Sequence, residues 1–336
     1  MANYTGIQGQ NILIVSSDPA NPTEGQIWYN STTNLLKGYQ NVVVNAAWAS
    51  GGNYGASFYG LAGAGTQTAG LGFGGYGPIS SSAFTYNGTS WSPSPSLNTA
   101  RMFVSGFGTQ TAAVAVAGAS GIPQTGNITG ATEKYNGTSW TNNPTGLNTT
   151  RFEIGAFGTS TAGIGAGGMN SSETTLTSAE SWNGSSWTTV NSMNTARTNL
   201  AGAGTQTAGL MFMGQTSPGA TNITGATELW NGTSWTSNPT GLNTTRQQGG
   251  GCGILTAALA FGGERPGARS AATEVWNGTT WTNSASMATA RRGLGGVGTQ
   301  AAGLGFSGYA GPNYSNATEE FTGPSTSLQT KTITTS

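Results

Sequence analysis

The chain has 336 residues, a formal net charge of zero, 7% charged residues and 56 glycines. With no histidine, one aspartate (Asp18) and one cysteine (Cys252), it excludes Ser-His-Asp and Cys-His nucleophiles, histidine-based metal sites and an internal disulfide framework. Three lysines and eight arginines do not supply the clustered basic surface that nucleic-acid binding needs, and glycine at this density disfavours helix.

In chain order, residues 11–15 (NILIV) are far too short for a signal sequence or a membrane span. Residues 21–39 (NPTEGQIWYNSTTNLLKGY) predict a β-hairpin with aromatic cross-strand positions. A strand is predicted at Val42–Trp48 (VVVNAAW), and from there a repeat takes over.

One glycine column runs Gly65, Gly108, Gly158, Gly204, Gly253, Gly298, and a second follows ten residues later at Gly75, Gly118, Gly168, Gly214, Gly263, Gly308. Seven residues before the last five members of the first column stand Arg101, Arg151, Arg197, Arg246 and Arg291. Upstream of those lie Trp91, Trp140, Trp187, Trp235 and Trp281, at intervals of 49, 47, 48 and 46 residues, each preceded by Asn-Gly. Six copies of a unit this long mean an array or a propeller.

Within one unit, RFEIGAFGT and STAGIGAGG read as two short strands joined by a tight Gly-Thr-Ser turn, as Gly-Thr-Gln in four other units. AESWNG and SSWTTV read as a third and fourth strand, joined by a two-residue Asn-Gly turn. Four antiparallel strands repeated six times make a six-bladed, all-β propeller behind a short N-terminal β-hairpin segment. The expected organisation is an attachment segment at 1–41, the propeller at 42–323 and a C-terminal tail at 324–336. The last unit lacks a fourth strand, so the N-terminal strand 42–48 is expected to complete it and close the ring, with 328–334 as the alternative.

Length varies in one place. From the second glycine to the Asn of Asn-Gly the gaps are 12, 18, 15, 17 and 14 residues. In an up-and-down blade these connections all lie on one face, beside the blade-to-blade loops. Their candidate binding residues are Tyr76, Ile122, Met169, Glu173, Pro218, Glu264, Arg265, Arg269, Tyr309 and Tyr314. The Trp and Arg columns read as structural. So does the glutamate column Glu133, Glu180, Glu228, Glu274, Glu319, with Phe84 in its place in the first unit, each glutamate pairing with a repeat arginine or with local backbone. Cys252 stands where other units have small or apolar residues and reads as a buried hydrophobe. Glu153, Glu173 and Glu264 break the repeat and are the candidates for acid–base chemistry, but nothing in the sequence pairs them.

Gly-Gly after the second strand (Gly74-Gly75, Gly167-Gly168, Gly262-Gly263), an aromatic before Asn-Gly, Trp on the fourth strand and Arg opening the next unit resemble kelch repeats over about residues 42–323. The double glycine is degraded at Ala117-Gly118, Met213-Gly214 and Ser307-Gly308, so the resemblance carries fold and not function. Asn21, Pro22, Gly25, Trp28, Tyr29, Asn30, Leu36 and Tyr39 are similar to short segments of bacteriophage tail-fibre and virion proteins. The repeat Tyr-Asn-Gly-Thr-Ser-Trp, Leu-Asn-Thr-Ala-Arg, Gly-Thr-Gln-Thr-Ala also looks like arrays in marine phage genomes.

These resemblances imply a non-enzymatic virion protein, a tail fibre or fibre tip, made in the host cytoplasm. Its N-terminal segment would hold other virion proteins, and its variable loops would meet a host-surface glycan or protein. No cofactor, metal, nucleic acid or membrane insertion is expected, and a homo-oligomer is left open. The alternatives are a capsid decoration or tail-assembly protein and a glycan-processing enzyme.

Overall fold

A computed structural model describes residues 12–122, 124–218 and 222–334. The remaining positions fall in the expected N-terminal segment, two variable loops and the C-terminal tail, and lie outside the described residues. Apart from a short 3-10 turn at Gln124–Gly126, the regular structure among the described residues is all strand. Two compact units are present: residues 1–46 with 323–336, and residues 47–322.

In the larger unit the repeat becomes six four-stranded antiparallel sheets. The third blade is representative: Gly155–Thr159, Ala162–Ala166, Ala179–Trp182 and Trp187–Val190 pair in sequence order. The six inner strands touch their neighbours around a closed circle, from Ala62–Gly65 through Gly295–Gly298 and back. This unit is a β-propeller.

The core lies between blades. One hydrophobic cluster joins Phe73 and Leu97 of the first blade to Val104 and Trp140 of the second. Another joins Phe306 and Leu304 of the sixth to Tyr54 and Tyr86 of the first. Burying such side chains at about 25 cal/mol per Å² is the main stabilising term, and each blade supplies half of two interfaces.

Each repeat column has a physical task. The first glycines all have positive φ, from +108° to +131°, and a Cβ there would lie 2.2–2.4 Å from the carbonyl oxygen four residues on, so only glycine closes this hairpin. In five blades the second glycine donates its N–H into the next blade, as from Gly168 to the Arg197 carbonyl at 2.7 Å and from Gly308 to the Phe58 carbonyl at 2.7 Å. The Trp indoles also reach across: Trp187 donates to Thr132 Oγ1 and Trp281 to Thr227 Oγ1, both at 2.9 Å.

The arginine column is fully buried. Arg101, Arg151, Arg197, Arg246 and Arg291 pair with Glu133, Glu180, Glu228, Glu274 and Glu319 at 2.5–3.0 Å. Arg101 also donates to the Ala117 and Ala131 carbonyls, and Glu133 accepts the Asn98 and Thr99 amides. Desolvation pulls each guanidinium pKa down, and the paired carboxylate opposes that shift. In the first blade both partners are apolar: Phe58 takes the arginine position and Phe84 the glutamate position, with Tyr54 against Phe84 at 4.9 Å. Charge is lost from both positions together, as it must be where an unpaired buried ion is costly.

The closing strand differs from the expected span. Ala47–Ser50 completes the sixth blade, with Trp48 opposite Phe321 and its indole donating to Thr273 Oγ1 at 3.0 Å. Trp48 must fill the tryptophan site of that blade, and this sets the register. Val42–Val44 pair instead with Ser325–Ser327 in the smaller unit, as part of the strand Leu35–Val44 against Ser325–Thr332. The alternative closing segment is therefore also placed elsewhere.

The expected two-residue Asn-Gly turns are four-residue loops. Trp182 pairs with Trp187, and Asn183 Oδ1 accepts the Ser185 and Ser186 amides at 3.0 and 2.9 Å. The asparagine caps the turn through its side chain, and the following Gly184 alone takes positive φ, +94°.

The smaller unit is one four-stranded sheet: Leu13–Val15 runs parallel to Ile27–Asn30, which forms a hairpin with Leu35–Val44, which pairs with Ser325–Thr332. Asp18 ties it together, accepting from the Lys37 ammonium (2.7 Å), Asn30 (2.8 Å) and the Trp28 indole (3.0 Å). Those bonds, the lysine's first, hold its pKa down at about 2.

Candidate functional site

On the variable-loop face, each blade-to-blade loop pairs with a variable loop. The residue after the arginine column bridges the residue after the second glycine: Tyr59 with Tyr76, Met102 with Ala119, Phe152 with Met169, Thr198 with Gln215, Gln247 with Glu264, Arg292 with Tyr309.

The next residue in each blade, Gly60, Phe103, Glu153, Asn199, Gln248 or Gly293, has φ between +50° and +65°. Their backbones link from blade to blade. Phe103 donates to the Gly60 carbonyl, Asn199 to Glu153, Gln248 to Asn199, Gly293 to Gln248 and Gly60 to Gly293, at 2.6–3.0 Å. A left-handed conformation costs a non-glycine residue roughly 1–2 kcal/mol, and four side chains stand there nonetheless.

These six residues ring one mouth of the central channel, around a cavity of about 140 Å³. Glu153 is half-buried and accepts from Thr198 Oγ1 at 2.9 Å. Desolvation pushes its carboxyl up to about pKa 7, partly opposed by Thr198, Asn199 and Arg292. The opposite mouth, about 110 Å³, is lined by glycine, alanine, phenylalanine, valine and Cys252 and carries no charge.

Beside the polar mouth is a cleft of about 360 Å³ lined by Tyr59, Arg292, Tyr309, Pro312, Asn313 and Tyr314. Tyr59 stacks on Tyr314 (5.3 Å, 14°) and meets Tyr76 and Phe103 edge-on at 5.6 and 5.5 Å. The guanidinium carbons of Arg269 and Arg292 lie 4.4 and 5.3 Å from the Tyr309 ring centroid. Arg292 is held by Glu264 at 2.9 Å and by Gln248 Oε1 at 3.4 Å. Desolvation, with the neighbouring tyrosines, raises the pKa of half-buried Tyr59 and of the more exposed Tyr314.

Of the candidate residues, Tyr76, Glu264, Arg269, Tyr309 and Tyr314 converge here. Arg265 is exposed on the hairpin of Glu264–Arg265 and Ala268–Arg269. Ile122, Glu173 and Pro218 are exposed on other loops, and Met169 bridges Phe152 away from the tyrosines. The sequence reading missed Tyr59, Phe103, Asn199, Gln248 and Arg292. One signal marks them: just after the arginine column, the repeats stop agreeing. Among the described residues no group of three His, Cys, Asp or Glu side chains could hold a metal ion.

Comparison with known proteins gives the fold and stops there. No protein-family model and no curated protein matches the chain. Among solved structures the chain is similar to YjhT, with a TM-score of 0.68 and 11% identity, over 82% of this chain and 99% of that one. At that identity the likeness is one of architecture.

Proposed function

We propose that this chain is a non-enzymatic structural protein of a bacteriophage particle, a tail fibre or fibre tip with kelch-like blades. It meets the host surface through its variable-loop face. The observation that carries this reading is the gathering of loop-length variation, tyrosines and unpatterned charge on one face, while the other mouth of the channel is chemically blank. Recognition surfaces concentrate in variable loops on a rigid scaffold. The phage-like segment from Asn21 to Tyr39 belongs to the smaller unit, which would attach the protein to other virion proteins.

Two other readings remain. A capsid decoration or tail-assembly protein would use the same loops against virion partners. A glycan-processing enzyme is favoured by one observation: Arg292 is a neighbour of both Glu153 and Glu264. Cryo-EM of the intact particle separates host contact from decoration or assembly, and loss of glycan cleavage on mutating Glu153, Glu173 or Glu264 would mark the enzyme. Propeller density on a tail appendage with its loops outward supports host contact; density on the capsid, or loops buried against other virion proteins, overturns it.

A further inference from the structure

We propose that the cleft of Tyr59, Arg292, Tyr309, Asn313 and Tyr314, with Arg269 against Tyr309, binds a saccharide carrying an anionic group, a carboxylate or a sulfate. This deepens the reading of the variable-loop face as a recognition surface and rests on it.

Three observations converge. First, the lining is made of hydroxyl, amide and guanidinium donors with aromatic bodies, the mixture that serves a polyol with apolar ring faces. Second, the rings are already engaged with one another. Tyr59 stacks on Tyr314, and Tyr309 holds two guanidinium groups. The cleft thus offers edges and hydroxyls rather than an open slot for a planar base. Third, charge in direct contact with Tyr309 does not balance: two guanidinium groups lie against its ring and one carboxylate, Glu264, is in ion-pair contact with one of them, while Glu153 is a more distant neighbour of Arg292. Glu264 is the carboxylate paired with Arg292, and Arg269 has no carboxylate partner among the described residues. A bound anion would neutralise the surplus cation and give its Nη donors a charge-assisted acceptor.

Gly311 holds Arg269 in place. A Cβ at residue 311 would lie 2.4 Å from the Arg269 guanidinium carbon, so the arginine packs directly on that backbone. Arg269 is half-buried and pre-positioned, which lowers the side-chain entropy lost on binding.

The test uses the full-length chain on an array of defined oligosaccharides: carboxylated, sulfated and neutral forms of matched length. Preference for carboxylated or for sulfated forms tells which anion is recognised. The expected result is binding to acidic forms, weakened about tenfold or more by Arg269→Gln and by Tyr314→Ala, and unchanged by Lys331→Gln in the smaller unit. Thermal melts check that each variant is folded; if Arg269→Gln melts early, Tyr314→Ala and a salt titration of wild-type binding stand in for it. Equal binding of neutral forms, no acidic binding, or binding indifferent to Arg269 and Tyr314 overturns the proposal. Adsorption of the purified chain to host cells is measured in parallel. Adsorption without acidic-glycan binding sinks this inference and leaves the host-contact reading standing; loss of both sinks the reading itself.

Discussion

Two positions two residues apart in the repeat behave in opposite ways. The arginine column keeps its side chain in five blades of six and hides it completely. The channel-mouth column keeps its backbone in all six, with φ near +55°, and carries Gly, Phe, Glu, Asn, Gln and Gly. At the first, the side chain is the structural element: it ties carbonyls, a carboxylate and, through that carboxylate, two amides. At the second, the backbone is the structural element, and the side chain is free to differ. A repeat protein can therefore vary its chemistry at a site whose geometry it holds constant.

The largest effect expected from breaking this contrast is at Arg197. Arg197→Ala leaves Glu228 buried and unpaired, and should cost about 3–5 kcal/mol in urea unfolding. The double variant Arg197→Leu with Glu228→Leu should recover much of that loss, because the first blade already runs on the apolar pair Phe58 and Phe84. A double variant as unstable as the single one would show that the ion pair is needed for more than its own neutralisation.

Next comes Glu153. Its folded pKa is raised from 4.5 to about 7. The stability it contributes is thus fully present below pH 4.5 and is lost as pH rises through about 7. Glu153→Gln should match the wild type at pH 4 and exceed it at pH 9, by up to about 3 kcal/mol. Urea midpoints across that range test the sign, and equal midpoints at pH 9 would remove the burial argument.

A smaller effect is expected from Gln248→Gly. Gln248 sits at φ +55°, so glycine should stabilise the fold by about 1 kcal/mol. A clear loss in thermal melting would mean that its side-chain bonds to Asn199 (3.2 Å) and Arg292 (3.4 Å) outweigh the backbone cost. The smallest is a null result at Cys252, a buried residue of the glycine-lined mouth with its thiol pushed up to about pKa 12. Iodoacetamide at pH 8 should label it only after unfolding, as mass spectrometry would report.

The blades were legible because three constraints repeat: a hairpin that only glycine closes, an indole bonding across to the neighbouring blade, and an asparagine-capped turn. The closing strand was misplaced by several residues. Val42–Val44 has the stronger β-propensity, but only Trp48 has the indole that the sixth blade lacks, and tertiary packing decided. The cleft was half legible. Tyr309, Tyr314 and Arg269 lie in connections whose length varies, which drew attention to them. Tyr59 and Arg292 lie in loops of constant length, where only the change of residue type marked them.

Ring closure by Ala47–Ser50 also governs the order of events in time. Trp48 must wait for Phe321, nearly the whole propeller later in the chain, before the sixth blade gains its fourth strand. During synthesis, the sixth blade has no finished edge until the last repeat has emerged. Pairings of such long sequence separation are slow to form. Until then the blades stand as an open arc whose two end faces are exposed, a state prone to self-association. The same late contact, once made, couples the first blade to the last, so that loosening any one interface opens the ring rather than one edge of it.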